Sequence, residues 1–341
     1  MSITASASSA VATSDGEFSS ARLDRYRANI LYIDDDVVAF EKAGGMCSVP
    51  TRQAAVKVQG VGLVTSSGVE MPRPRSEQWA EAIRNATTKN SDLDESIVSV
   101  LTSLKEPLES IPRRSDSFKR HVGRVAKTRD EIILDEVWSV VVDEDTKLRY
   151  PRGFIEDIPD EWLSAMDVVS ELLGKRVFAV HRLDMETSGV LLFARNSRAC
   201  SAINEQFRLK AVEKKYIAEV FGQWDERVNK VDLKIRPDMD NRPCQVVDVD
   251  GKESETSVSV LSHRVETNTS VLELRPLTGR THQLRVHTSE LGHAILGDTL
   301  YASDRVQAMS PTGLRLHAQE LSFDHPTTGE RVKIISKSIP F

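Results

Sequence analysis

The stretch that most limits what this chain can fold into is HRLDMETSG, residues 181–189, with the apolar run GVLLFA that continues from its glycine. Thr-Ser-Gly is typical of a tight turn. A short, uninterrupted apolar run after such a turn is typical of a buried strand. The pattern therefore predicts a turn that feeds a buried strand, and it places Arg182 and Asp184 beside that turn with their side chains facing outward.

Composition favours an ordinary soluble globular protein, since 40% of the 341 residues are hydrophobic and 28% are charged. The three cysteines are far apart and lack metal-ligand spacing, so we expect neither a disulfide framework nor a zinc site. No apolar run approaches the roughly 20 residues of a membrane span. We expect an intracellular, cytoplasmic protein, and the Ser/Ala-rich N-terminus leaves a mitochondrial or plastid location open.

The distribution of charge is more informative than its total. The formal net charge of −6 argues weakly against a nucleic-acid partner. However, residues 176–216 contain eight Lys+Arg against four Asp+Glu, so this segment alone carries +4. An acidic chain with a local basic segment is compatible with RNA binding.

Sequence patterning divides the chain into three parts. We predict a disordered tail at 1–28, one domain made of 29–50 and 151–341, and a partly ordered insertion at 51–150. The insertion is rich in turn-forming and polar residues, with short helices predicted at 77–86 and 94–104. It could be a tolerated surface insertion or an element that docks a partner or RNA.

Periodicity predicts an α+β fold, because mostly antiparallel strands alternate with a few helices. In the main domain, helical spacing predicts helices at 161–174, 198–212 and 281–292, the last capped by Thr281 and ended by Gly292. Alternation and apolar runs predict strands within 30–49 and at 177–183, 189–194, 214–222, 254–262, 270–277, 315–323 and 331–336.

Asp184 is the first candidate for chemistry. A carboxylate held at a strand end and presented outward suits a nucleophile or a general base. On local evidence alone, an Asp that caps the following Thr-Ser-Gly turn is the better explanation of the residue.

A second cluster lies in TGRTHQLRVHTSELGH, residues 278–293, where basic and polar side chains crowd the start of one short helix. Arg285 lies three residues after His282, so the two share a helix face. An arginine directed at a buried carboxylate would lower the pKa of that carboxylate and orient it. A solvated basic face is the alternative, and metal binding by these histidines is disfavoured by their spacing.

The third candidate is the strand KKYIAEV, residues 214–220. Alternation places Lys214 and Tyr216 on one face and Lys215 and Glu219 on the other. Tyr216 could stack on a base or donate a hydrogen bond, and a core tyrosine is equally common.

Taken together and in this order, the motifs resemble those of the RluA-type pseudouridine synthases, of the RsuA/RluA family. The matching stretches are HRLDMETSGVLLFA, KKYIAEVFG, DNRPCQ, RPLTGRTHQLRVHTSELGHAILGDTLYA and RLHAQEL, and EKAGGMCSVP resembles the family's Lys-Pro-x-Gly segment. The chain departs from the family in Ala43, where proline is usual, and in the insertion. The resemblance implies a pseudouridine synthase fold, with a mostly antiparallel mixed sheet and a central catalytic cleft flanked by short helices.

The resemblance also implies an activity, the conversion of a specific uridine in a stem-loop of transfer or ribosomal RNA into pseudouridine by a monomer without cofactor or metal. Asp184, Tyr216 and Arg285 would be catalytic, and Arg182 would fill the space left by the flipped nucleotide. The RNA-binding side chains would be His181, Arg182, Thr187, Lys214, Arg280, His282 and Gln283. A catalytically inactive RNA-binding protein on the same fold is the alternative.

Overall fold

The computed structural model describes residues 21–49, 75–88, 93–104, 108, 111, 115–149, 163–338 and 340–341. The predictions for residues 1–20 and for 50–74 therefore lie outside the described residues. Residues 21–27, which the sequence analysis placed in the tail, form a helix. Leu23 in this helix is buried against the core of the main domain.

The elements follow one another in this order in the described residues. The helices are α1 (Ala21–Arg27), α2 (Arg75–Thr88), α3 (Glu95–Thr102), α4 (Ser115–Ala126), α5 (Glu131–Arg149), α6 (Ala165–Leu172), α7 (Ser197–Arg208), α8 (Gln283–Glu290) and α9 (Asp304–Ala308). The strands are β1 (Ile30–Ile33), β2 (Val37–Lys42), β3 (Phe178–Ala179), β4 (Ser188–Ala194), β5 (Glu213–Phe221), β6 (Lys230–Val231), β7 (Ile235–Pro237), β8 (Gln245–Val247), β9 (Thr256–Arg264), β10 (Thr269–Pro276), β11 (Leu316–Asp324) and β12 (Arg331–Ile335).

One large mixed sheet organises the main domain. Its strand order within the described residues is β1-β2-β4-β11-β5-β10-β9-β6, with β12 paired to β11 and β3 paired to β4. Its pairings are antiparallel except that of β4 with β11, which is parallel. A separate hairpin pairs β7 with β8. The predicted α+β class and mostly antiparallel mixed sheet are confirmed.

Strand β4 lies in the middle of the core and is covered on both faces. Val190 and Leu192 pack on one side, in a cluster that includes α7, while Leu191 and Phe193 pack on the other, in a cluster that includes α6. A strand covered on both faces reads as a continuous apolar run rather than an alternating one. This explains the run GVLLFA and fixes the turn before it on a rigid support.

Two predicted elements differ from the structure for local reasons. The strand predicted at 177–183 is reduced to β3, because the backbone N–H of Leu183 donates to the Ser48 hydroxyl instead of to a strand. The helix predicted from Thr281 begins at Gln283, and His282, in a left-handed conformation with φ of 55°, occupies the N-cap position. The prediction of Thr281 as cap is wrong.

Within the insertion, helices α2, α3, α4 and α5 enclose a hydrophobic core of their own. Its centre is aromatic, with ring centroids of Trp79, Phe118 and Trp138 between 5.1 and 5.9 Å apart. The helices α2 and α3 match the predictions, whereas α4 and α5 were not predicted. Helix α5 contacts α7 of the main domain, where the Ser197 hydroxyl donates to the Asp135 carbonyl at 3.3 Å.

Among the described residues, none of the helices combines the length and the apolar character that a membrane crossing requires.

Gly189, the first residue of the buried run, is a position where a larger side chain should destabilise the fold. Its φ is +109°, and a Cβ at this position would lie 2.2 Å from the Ala318 carbonyl oxygen on β11. Gly189→Ala should lower the free energy of unfolding by about 3 kcal/mol or more, combining left-handed strain with overpacking. Urea unfolding measures the change.

Gly329→Ala is the matched control. Gly329 also has a positive φ, +70°, but a Cβ there meets no atom within 4 Å. In the control, the free energy of unfolding should fall only by the cost of a left-handed backbone at alanine, about 1–2 kcal/mol. Equal losses in the two variants would contradict the close approach of β4 to β11.

Candidate active site

The turn that carries Asp184 rests on a segment from the N-terminal part of the chain. The Lys42 ammonium, only 1% exposed, donates to the carbonyls of Ala43 at 2.9 Å, Met46 at 2.8 Å and Met185 at 2.9 Å. Burial lowers the pKa of Lys42 to about 8. Three carbonyl acceptors compensate for its lost hydration and tie the Gly-Gly turn after β2 to the turn beside Asp184.

Ser48 fastens the same turn from its other side. Its hydroxyl accepts from the Leu183 N–H at 3.0 Å and donates to the Leu183 carbonyl at 2.8 Å. The Gly45 N–H donates to the Met185 carbonyl at 2.9 Å. The residues on both sides of Asp184 are therefore held by residues 42–48, which leaves little backbone freedom at the carboxylate.

The Asp184 carboxylate faces a guanidinium and an imidazole. Its Oδ2 lies 3.9 Å from Arg285 Nη1, and its Oδ1 lies 3.9 Å from His282 Nε2. The side chain is 20% exposed, and the Thr187 N–H closes the turn by donating to the Asp184 carbonyl at 3.1 Å. Asp184 therefore has cationic and polar neighbours at a distance that leaves its oxygens open to another ligand.

The predicted Arg285–Asp184 pair is present at 3.9 Å, but it is not the shortest contact of the guanidinium. Arg285 makes its short bonds to Asp298, from Nε at 2.8 Å and from Nη2 at 2.7 Å, and Nη2 also donates to Glu186 at 3.0 Å. Two carboxylates therefore hold the guanidinium in place, and Nη1 is the nitrogen presented to Asp184. Burial acts to lower the pKa of Arg285, but the hydrogen bonds to Asp298 outweigh it and raise that pKa.

Asp298 is itself fully buried and holds more than the arginine. Its Oδ1 accepts from the N–H groups of Leu300 at 2.9 Å and Tyr301 at 3.0 Å. The Tyr301 hydroxyl in turn lies 2.6 Å from His282 Nδ1 and accepts from the Gln245 N–H at 2.8 Å. With Tyr301 as donor to Nδ1, the Nε2–H of His282 is directed at Asp184. Burial lowers the pKa of His282, which favours this neutral form.

A cleft of about 320 Å³ opens over Asp184. Tyr216 and Lys214, from the same face of β5, line it as the alternation predicted, whereas Lys215 on the other face pairs with Glu320 at 3.1 Å. Burial, and secondarily the charge of Asp184, raises the pKa of Tyr216, so its hydroxyl stays protonated. Burial lowers the pKa of Lys214 to about 8, and its ammonium donates to the Thr278 carbonyl at 3.3 Å.

Arg182 and Arg280 lie at the cleft and are exposed. Arg182 makes no hydrogen bond or ion pair with any other described residue. Arg280 uses only its Nε, which donates to the Glu253 carbonyl at 3.1 Å. Most of the donors of these two guanidinium groups are therefore free to bind an anionic ligand.

Of the residues predicted to bind RNA, His181 and Gln283 form hydrogen bonds within the protein, and Thr187 is buried with its Oγ1 lacking a partner among the described residues. His181 accepts from the Leu192 N–H at 2.9 Å, and burial lowers its pKa to about 3, so its ring is neutral. Gln283 accepts from the Thr278 hydroxyl and donates to the Glu255 carbonyl, which uses its amide to hold the loop before α8. Thr187 is 2% exposed, so its side chain faces the interior.

Lys42, Glu186, Asp298 and Tyr301 were not identified as site residues from the sequence. Glu186 stands inside the quoted HRLDMETSG, and Asp298 and Tyr301 stand inside the matching stretch around GDTLYA. An acidic residue two positions after Asp184 was a usable signal for a second partner of an arginine. The pairing of Asp298 with Arg285 depends on tertiary structure, and sequence spacing alone does not indicate it.

Comparison with known proteins gives a consistent result. The family model described as RNA pseudouridylate synthase matches residues 158–290. The dual-specificity RNA pseudouridine synthase RluA of Vibrio parahaemolyticus is 39% identical over 199 residues, which cover 55% of this chain and 79% of that protein. The Haemophilus influenzae protein of the same name is 42% identical over 181 residues, covering 53% of this chain and 81% of that protein.

Among solved structures, Human RNA Pseudouridylate Synthase Domain Containing 1 is similar, with 30% sequence identity, a TM-score of 0.46, and coverage of 52% of this chain and 74% of that chain. The curated relatives establish the family, because most of their length is covered at well above 30% identity. This chain belongs to the RluA-type pseudouridine synthases, and it is an isomerase that acts on RNA.

The hydrogen bonds that hold the Arg285 guanidinium predict that Asp298 positions it. Asp298→Asn replaces one carboxylate acceptor with an NH2 donor that faces the guanidinium, so Nη1 should leave its place beside Asp184. We expect kcat for pseudouridine formation to fall about 100-fold, with KM for RNA little changed, since misplacement of about 1 Å costs this much.

The control is Asp304→Asn, an exposed aspartate in the nearby helix α9. It should leave kcat unchanged. Circular dichroism melting establishes that both variants are folded under the assay conditions. A folded Asp298→Asn protein with kcat within threefold of wild type would contradict the positioning role.

Proposed function

We propose that this chain converts a uridine of a structured RNA into pseudouridine, with Asp184 as the group that reacts with the ribose of that uridine. The observation that carries the proposal is the Asp184 carboxylate at an open cleft, 3.9 Å from both Arg285 Nη1 and His282 Nε2. A carboxylate that is oriented but not saturated with hydrogen bonds is suited to react.

The reaction breaks the bond from uracil N1 to ribose C1′ and forms a bond from C5 to C1′. The C5 proton leaves and N1 gains a proton, so no oxidant or reductant is needed. Loss of the base makes the sugar electron-poor, and the Asp184 carboxylate would either add to it or take a proton from it. Tyr216, which lines the cleft, would contact the uracil. Because its hydroxyl stays protonated, it would act there by packing and hydrogen bonding rather than by taking the C5 proton.

A uridine inside a helix cannot reach Asp184, so the nucleotide must be flipped out at a cost of a few kcal/mol. The exposed guanidinium of Arg182 would stack in the vacated position. Arg280 and the ammonium of Lys214 would contact the backbone of the flipped nucleotide, because both lie in the cleft lining. We propose no cofactor or metal for this isomerisation.

The substrate class follows from the relatives. Those proteins are named dual-specificity RNA pseudouridine synthases. We propose that this chain likewise modifies a stem-loop in transfer RNA, ribosomal RNA or both, as a monomer inside the cell. Pseudouridine maps of cellular RNA with and without the gene would identify the position.

Asp184→Asn tests the role of the carboxylate. The amide has nearly the same shape but cannot act as nucleophile or base, so turnover should be lost while RNA affinity stays within about threefold of wild type. Release of tritium from RNA labelled at uridine C5 measures turnover, and fluorescence anisotropy measures affinity.

Asp36→Asn, on the turn between β1 and β2, serves as the control carboxylate and should retain full tritium release. Retained turnover in Asp184→Asn would exclude the proposed chemistry. Release of free uracil by the wild type would instead indicate a glycosylase.

Because the pKa of Lys214 is lowered to about 8, we expect the affinity for RNA to depend on pH. The ammonium is charged below this pKa and loses its charge as the pH rises through it, so RNA affinity should weaken between pH 7 and 9. The loss should approach one log unit per pH unit above the pKa. Anisotropy in the Asp184→Asn background measures it without turnover.

Lys214→Arg should remove this pH dependence, because arginine stays charged across the range. The same variant corrects for titration of the RNA itself. Identical pH profiles for the two proteins would contradict the assignment of Lys214 to RNA binding.

A further inference from the structure

Helices α2, α3, α4 and α5 form a unit that the catalytic centre does not require for its own packing. The buried residues of these helices form one cluster, and no residue of that cluster belongs to the three clusters of the main domain. The proposed reaction uses no side chain from this unit. An inserted bundle with a complete core of its own needs a different explanation.

The solvent-facing side of α4 carries a group of basic residues that suggests a role for the bundle. Phe118 and Val122 are fully buried in the bundle core. Arg120 and Arg124 are exposed and four residues apart, so they share one face of α4, opposite the buried pair. Lys127, also exposed, directly follows the last helical residue, in a left-handed conformation with φ of 55°. We call these three residues the α4 stripe.

The α4 stripe is unusually free of opposing charge. From Ser117 to Arg129 the sequence contains five Lys+Arg and no Asp or Glu, in a chain whose net charge is −6. Of the other two cations, Lys119 pairs with Asp135 of α5 and faces the bundle, and Arg129 is exposed beyond the helix end. Within the described part of the chain, no carboxylate pairs with any member of the stripe. Such a surface is complementary to a polyanion.

The bundle is anchored next to the cleft. Helix α5 contacts α7 near Ser197. Ten residues later, about 15 Å along the helix axis, Phe207 lines the cleft and stacks on His181 at 5.2 Å between ring centroids. The bundle therefore contacts α7 about 15 Å from the cleft, so a ligand held by the bundle would bind outside the cleft.

We propose that the α4 stripe is a docking surface for the phosphate backbone of the substrate RNA, outside the stem-loop that enters the cleft; this rests on the proposed function. The stripe runs from Arg120 to just past the C-terminal end of α4, about 10 Å, which matches several phosphates of a duplex. It reads no bases, so it adds affinity and orientation without changing which uridine is modified.

The test is a triple variant, R120Q/R124Q/K127Q, assayed with a full-length transfer RNA transcript and with a minimal hairpin of the same loop. We expect KM for the full transcript to rise roughly 10-fold or more at 0.15 M salt, with kcat unchanged. The slope of log Kd against log salt should fall by about 2–3. The minimal hairpin should bind and react as with wild type.

The control, R27Q/R227Q/K337Q, makes the same change of net charge outside the insertion, at three exposed cations of which Arg27 and Arg227 pair with aspartates. It should leave KM and the salt slope unchanged. Equal KM and slope for the triple variant and wild type would overturn the proposal. So would an equal loss on the minimal hairpin, since that would place the effect inside the stem-loop.

Binding and its salt slope are measured by anisotropy and need no turnover. Absence of pseudouridine formation by the wild type therefore counts against the proposed function, and an unchanged slope counts against the stripe.

Discussion

A buried guanidinium cannot remain in a protein interior without partners, and this constraint organises the site. Arg285 is 2% exposed, and its Nε and Nη2 are bound by Asp298, with Glu186 as a further acceptor. These bonds decide where Nη1 points, which is at Asp184. Removing one partner of such a pair leaves a buried charge uncompensated, which costs far more than the net value of the bond.

The backbone around Asp184 is also held on both sides. On one side β4 enters a core covered on both faces, and on the other Lys42 and Ser48 bind the carbonyls and N–H groups next to the carboxylate. The Ala43 carbonyl, at the position where proline is usual, accepts from Lys42. Positioning of this kind is what catalysis by a single carboxylate demands.

Much of the fold could be predicted from the sequence because local patterns carry it. GVLLFA predicted the buried strand β4, and alternation in KKYIAEV predicted that Lys214 and Tyr216 share the cleft face. Helix α5 was missed, although Leu134, Val137 and Val141 recur at helical spacing, because its Ile/Val content and acidic residues obscure that period. Asp298 was missed because only the fold brings it to Arg285.

The internal roles of His181 and Gln283 show a limit of motif reasoning. Both stand in the matching motifs, yet their polar atoms bind protein backbone and hold the loops that bear the reactive groups. A motif residue near a cleft can therefore serve the site by holding the backbone that bears the reactive groups.

The central claim is that the Asp184 carboxylate meets the sugar of a flipped uridine. A crystal structure of the Asp184→Asn protein bound to a stem-loop RNA tests it most directly. The account predicts that a uridine leaves the helix and that its C1′ lies about 3–3.5 Å from the residue 184 side chain, with the uracil against Tyr216. A uridine that stays stacked, or a sugar bound elsewhere on the protein, would contradict it.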